Sequence, residues 1–250
     1  MNFLIVNDDG IDSPGLRALT DALAAIGDVY VAAPAQQQSG KSQSITLMNT
    51  VRIDQVQYYG AVRAWKVYGT PADCTRAGLQ FVRDLGKSVD ITFSGINLGY
   101  NLGADTLYSG TVGAAAEATL LGCHAVAVSV EGHHATHFKA ACRLAVAVIP
   151  HVVGELPVTT VLNINTPDRE VREIQGLIIS SAGDTFYDDR FEEVSPGEYR
   201  RTGEPRDCGG TGNDTDTAAS SRGYATITPL MFDYTDRGRI DTIERWRLKL

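Results

Sequence analysis

Apolar and polar positions switch repeatedly between two periods along the chain. Residues 3–6 form an unbroken apolar run, the pattern of a strand buried on both faces. Ser13 and Pro14 then read as an N-cap with proline at the first helical position. Leu16, Leu19, Leu23 and Ile26 follow at helical spacing, and Gly27 closes the segment. Residues 29–33 are a second apolar run, ended by Pro34. Ile45, Leu47, Val51 and Ile53 share one parity, which predicts a strand over 45–53, and 61–67 continues in that style. Helical spacing predicts helices over 71–83, 113–121 and 137–153. Further strands are predicted over 90–93, 125–130, 158–164 and 224–227, the last closed by Pro229.

Strands alternating with helices predict an α/β domain with a mainly parallel sheet covered on both faces and joined by right-handed crossovers. Residues 170–212 break this rhythm. They are rich in Gly, Asp, Glu and Arg, with Phe186, Tyr187, Phe191 and Tyr199 interspersed. This stretch reads as an excursion from the core, either a hairpin arm suited to self-association or a surface loop. Residues 236–248 read as a weak, charged terminal helix.

A chain of 250 residues can bury one large core. Its net charge of −8 argues against a stable nucleic-acid complex. A small anionic substrate then needs local positive charge, and a metal ion is the simplest source of it. Cys74, Cys123, Cys142 and Cys208 are scattered without a CxxC, which fits reduced thiols. A strand stands where a charged-then-apolar leader would, and no apolar run approaches a membrane span. A cytoplasmic protein without membrane contact is the expectation.

In a parallel α/β sheet, ligands bind outside the carboxyl ends of the strands. Asn7-Asp8-Asp9-Gly10 follows the first strand, 34–42 the second, and SGINLGYNLGADTLYSGTVGAAAE (94–117) the strand predicted over 90–93. Asp8 and Asp9 fit three roles: a helix cap, an Asp-Gly turn, or half of a hard-cation site. With Ser39 and Asn97 on the same rim, they make an all-oxygen shell suited to magnesium or manganese. Ser109, Gly110 and Thr111 precede an alanine-rich helix, so their backbone N–H groups suit an anion; a simply capped helix is the plain alternative.

Residues 35–42 match a permissive P-loop, which gives the rival reading of a nucleotide-binding ATPase or switch. Ala35 stands where that motif has glycine, and a strand pattern follows where it needs a helix. His133 and His137 of HHATH would suit a zinc site on a helix face, but the metalloprotease glutamate is absent, and a polar helix start is the plainer reading.

NDDGIDSPG (7–15), QSGKSQSIT (38–46), GTPADC (69–74), the 94–117 stretch, LNINTP (162–167) and GYATITPL (223–230) together resemble the SurE (survival protein E) family of metal-dependent nucleotidases. The resemblance implies a three-layer α/β/α sandwich with a Rossmann-like core. It implies one SurE-like domain over 1–250, with its core at about 1–169 and 213–235. It implies hydrolysis of nucleoside 5′- and 3′-monophosphates, and in some members of short polyphosphates. It places one divalent cation, Mg2+ or Mn2+, on Asp8, Asp9, Ser39 and Asn97. Asp8 or Asp9 would then handle the attacking water. Asn97 and the N–H groups of Ser109 to Thr111 would stabilise phosphoryl charge. Asn101 would be a second phosphate contact, and Thr70 either a substrate donor or the cap of the 71–83 helix. A homodimer or homotetramer is implied, built through the arm at about 170–212 and a tail at about 236–250. Ala35 departs from the aspartate usual in relatives, which puts substrate preference and loop order in play.

Overall fold

A computed structural model describes residues 1–187, 189–203, 205–207 and 214–248, with backbone only for 185–187 and 205–207. Cys208 and part of the predicted arm lie outside the described residues. The elements in chain order are β1 (Asn2–Val6), α1 (Pro14–Ala24), β2 (Asp28–Pro34), β3 (Ile53–Val56), β4 (Arg63–Val67), α2 (Pro71–Asp84) and β5 (Ile91–Leu98). After these come α3 (Gly110–Leu120), β6 (His124–Val130), α4 (Lys139–Ala147), α5 (Ile149–Glu155), β7 (Thr160–Thr166), β8 (Leu177–Ile179) and β9 (Thr185–Tyr187). The chain continues through β10 (Arg190–Ser195), β11 (Glu198–Thr202), β12 (Pro205–Asp207), α6 (Asp216–Ser221), β13 (Ala225–Met231) and α7 (Arg237–Glu244).

Nine strands form the main sheet in the order β3-β4-β2-β1-β5-β6-β7-β13-β8. The run from β4 to β7 is parallel throughout, while β3 and β13 join antiparallel. The strand period of two divides β1 between the two layers. Phe3 and Ile5 pack with Leu16, Leu19, Ala141 and Val152 of α1, α4 and α5. Leu4 and Val6 pack with Cys74 and Ala114 of α2 and α3. The result is an α/β/α sandwich. The chain runs from β1 outward to β2 and β4, then returns to place β5 on the other side of β1. That reversal opens a crevice at the carboxyl ends of β1, β2 and β5.

Several expectations needed revision. Residues 45–52 are not a strand, because Asp73 ties Thr46 down by its N–H and its hydroxyl, leaving Leu47 and Met48 exposed. The single helix over 137–153 is two, broken at Val148 just before Pro150, which lacks the N–H to continue the ladder. Pro229 lies inside β13 instead of ending it. The strand is paired on both flanks only through Ile227, so no partner asks for the missing donor at Pro229.

The predicted excursion starts later than residue 170, since β8 still extends the main sheet. Beyond it, β10 pairs with β11 and β9 with β12 as two antiparallel ladders. Buried Asp216 fastens this region to the core, its carboxylate accepting from Gly103 N at 3.0 Å and Gly183 N at 2.8 Å. Among the described residues, no helix is long and apolar enough to cross a membrane.

Candidate active site

Asp8 and Asp9 leave β1 at the crevice. Gly10, at φ +99°, adopts a backbone conformation that side chains disfavour, and its carbonyl accepts from Asn7 Nδ2 at 2.9 Å. The turn is locked to the neighbouring strand end by Ile11 N to Pro34 O (2.9 Å) and Gln38 N to Asp8 O (2.7 Å).

Asp8 is buried, and Thr111 Oγ1 donates to its Oδ1 at 2.5 Å. Gly110 makes this approach possible: a Cβ there would sit 2.9 Å from Asp8 Cβ and Oδ2. Asp9 Oδ2 accepts from Leu98 N at 2.9 Å, and Gln37 Nε2 approaches its Oδ1 at 3.5 Å. Burial pushes the Asp8 carboxyl up to about 6, against the opposing Thr111 hydrogen bond and with help from the Asp9 charge. Burial also raises Asp9, opposed by its bonds from Leu98 and Gln37.

Ser39 is exposed and meets the aspartates only through Gln37, whose Nε2 lies 3.1 Å from Ser39 Oγ. Asn97 donates its Nδ2 to Gly99 O at 2.8 Å, which leaves Oδ1 for another partner. The adjacent carboxylates of buried Asp8 and half-buried Asp9 receive only neutral hydrogen-bond donors, and no Lys or Arg pairs with either among the described residues. Two carboxylates, a hydroxyl and an amide oxygen form a hard donor set that suits a divalent cation.

Ser109 caps α3, its Oγ accepting from Val112 N at 3.0 Å, so Gly110 and Thr111 fall in the first turn, where helix N–H groups lack intrahelical partners. Thr70 caps α2 in a capping box with Asp73, and it also lines a cavity of about 430 Å³ with Lys41 and Tyr68. Asn101 is buried away from solvent in a polar network. Its Nδ2 donates to Ser129 Oγ at 2.9 Å, its N–H to Asn165 Oδ1, and its carbonyl accepts from Asn163 and Asn165. These bonds hold the loop and engage one of the two N–H groups of the Asn101 side chain.

Gln37 escaped the sequence reading, and His133 and Ser13 were read there for other roles. Gln37 bridges Asp9 and Ser39. His133 lines a cavity of about 360 Å³ beside Asp9, and its Nδ1 lies 3.1 Å from Leu98 O. His137 instead pairs with Asp168 at 2.9 Å, so the two histidines serve separate places before α4. Ser13 occupies the N-cap position of α1, yet its hydroxyl makes no capping bond and lines the same cavity as Asp9. The segment carrying Ser39 is pinned downstream. Ser42 donates to Leu107 O at 2.6 Å and to Tyr108 O at 3.0 Å, and Gln43 Nε2 donates to Glu117 Oε2 at 2.9 Å. No helix follows Ser42; the next one begins at Pro71, so 35–42 lacks the helix start a P-loop requires.

The family model described as "Survival protein SurE" matches residues 3–189. The chain belongs to the SurE family. Curated relatives share its full length. A "5'-nucleotidase SurE" of Desulfatibacillum aliphaticivorans is 36% identical over 253 residues, spanning 100% of this chain and 99% of its own. One of Geobacter sulfurreducens is 38% identical, spanning 99% and 94%. The crystal structure of the SurE protein from Aquifex aeolicus superimposes with a TM-score of 0.85 at 33% identity, covering 99% of this chain and 100% of that one. The SurE fold and the α/β/α reading of the sequence therefore agree.

Proposed function

We propose that the protein is a divalent-cation-dependent nucleotidase that hydrolyses nucleoside 5′- and 3′-monophosphates, and short polyphosphate, to release phosphate. The family membership and the common name of its curated relatives, 5'-nucleotidase, support the phosphomonoesterase activity. The observation that carries the cation is the adjacent pair of carboxylates, Asp8 buried and Asp9 half-buried, met only by neutral donors. In this reading Asp8, Asp9, Ser39 and Asn97 hold Mg2+ or Mn2+. When bound, the cation supplies charge neutralisation at the phosphoryl group and a more acidic water.

The chain's own residues do the rest. Thr111 fixes the Asp8 carboxylate, and Leu98 N fixes that of Asp9, so neither must reorient during the reaction. One of the two accepts the proton of the attacking water. The first-turn N–H groups at Gly110 and Thr111 face developing negative charge. Thr70 and Lys41 line the neighbouring cavity, where the leaving group is taken to sit.

The reading also places the protein in the cytoplasm as a single domain that self-associates, as a dimer or tetramer, through the hairpin arm and C-terminal tail. Exposed Phe191 and Tyr199 on the hairpin and Trp246 on the tail support that role. The deciding experiment measures phosphate release from nucleoside monophosphates with Mn2+ or Mg2+, with EDTA, and for Asp9→Asn. Activity lost under both treatments is expected; activity that survives both refutes the metal mechanism.

A further inference from the structure

At the opposite rim, the amino ends of β5 and β6, a cavity of about 400 Å³ opens between the C-terminal ends of α2 and α3. Arg76, Arg83 and Lys87 line it together with the apolar Leu79, Val89 and Leu121, and no carboxylate is among its lining residues. This is a concentration of positive charge in a chain of net charge −8. Arg76 is half-satisfied by Glu117, its Nη2 lying 2.6 Å from Oε1. Arg83 and Lys87 pair with no carboxylate among the described residues.

Basic residues near a helix C-terminus often serve only to offset its dipole. Here the carbonyls are already closed off by main-chain donors. In α2, Lys87 N reaches Val82 O at 3.2 Å and Gly86 N reaches Arg83 O at 2.9 Å. In α3, Cys123 N reaches Ala118 O at 3.0 Å and Gly122 N reaches Thr119 O at 3.1 Å. The cationic side chains are therefore not needed as caps. Clustered like charges repel one another, so the arrangement is relieved by an incoming anion. A guanidinium beside an ammonium matches a phosphate group, and the apolar wall matches a flat organic body attached to it. The volume falls in the usual range for small-molecule pockets, ~300–1,000 Å³.

We propose that this cavity is a second, non-catalytic binding site for a small organic phosphate of the nucleoside-phosphate class. Arg83 and Lys87 hold the phosphate, and Leu79 and Leu121 flank the nucleoside.

A non-hydrolysable adenosine phosphonate, titrated calorimetrically into the full-length protein in EDTA, tests this. Binding to Arg83→Gln/Lys87→Gln should weaken about tenfold or more while the thermal midpoint stays unchanged, and adenosine should bind far more weakly than the phosphonate. Inorganic phosphate should also bind more weakly, by about tenfold, since it cannot use the apolar wall. Unchanged affinity in the double variant, or adenosine binding as tightly as the phosphonate, overturns the site. Inorganic phosphate binding equally well overturns the nucleoside class. None of these readouts depends on phosphate release, so failure here is distinguishable from failure of the nucleotidase reading.

Discussion

The Thr111 hydroxyl donates to Oδ1 of Asp8 across 2.5 Å, joining the end of β1 to the first turn of α3. A hydrogen bond to a charged group contributes about 1.5–3 kcal/mol, and here it also fixes a carboxylate direction. Thr111→Val keeps the shape and removes the donor. Phosphate release should fall by about tenfold or more and half-saturation by Mn2+ should move to higher concentration, while Thr111→Ser should retain most of both. A Val variant with wild-type metal titration would show that the bond does not orient Asp8.

Gly110→Ala puts a methyl group 2.9 Å from Asp8 Cβ and Oδ2, closer than side-chain atoms pack. Helical backbone tolerates alanine, so the clash is the whole effect. The variant should fold, lose about 1–3 kcal/mol in urea unfolding, and lose most of its activity. Full activity would mean that α3 shifts without disturbing the aspartate.

Glu117 is buried and receives both Gln43 Nε2 at 2.9 Å and Arg76 Nη2 at 2.6 Å. It thereby ties the segment that carries Ser39 to α3 and α2. Glu117→Ala should cost about 2 kcal/mol in stability, from bonds lost to a charged acceptor. Gln43→Ala removes only the loop tether and should raise KM or the Mn2+ requirement with little change in thermal midpoint. If Gln43→Ala leaves the kinetics untouched, the tether does not govern loop position.

Asp73 offers a pH test remote from the aspartate pair. Burial pushes its carboxyl up, but the Thr46 hydroxyl and N–H, with Thr70, outweigh burial and hold it below its ordinary value of 3.8. The unfolded chain therefore binds the proton more readily than the folded one. The contribution is fully present above the ordinary value and is lost as pH falls from there through the depressed one. Urea midpoints followed from pH 6 down to about 2.5 should drop less steeply for Asp73→Asn than for wild type. Parallel curves would dismiss the coupling.

Central strands β1, β2 and β6 were legible because they are buried on both faces and read as apolar runs bounded by Pro, Gly or polar clusters, whereas β5 was read only to Phe93 because Ser94, Gly95 and Asn97 within it look like loop residues. The break before Pro150 was missed, although the proline itself carried the signal. Residues 45–52 were not legible, because apolar alternation cannot reveal that Asp73, from a later helix, holds Thr46 off the sheet. The same holds at the rim. Asp8 and Asp9 announce themselves as charge beside a core strand. Gln37 is one polar residue among several in an exposed loop, and only the folded distances single it out. The polar network around Asn101 was equally hidden, since its partners, Asn163 and Asn165, lie on a strand some sixty residues away.

Strand β1 is hydrogen-bonded to β2 along one flank and to β5 along the other. Asp8 and Asp9 follow β1, Asn97 lies within β5 and Thr111 opens α3, so they come together only after β1 and β5 have aligned. No fragment of the chain can assemble the constellation by itself, so catalysis is an all-or-none report on the folded sheet. Once formed, the same enclosure means that the carboxylates arrive already aimed, and a substrate entering the crevice meets a geometry it need not organise.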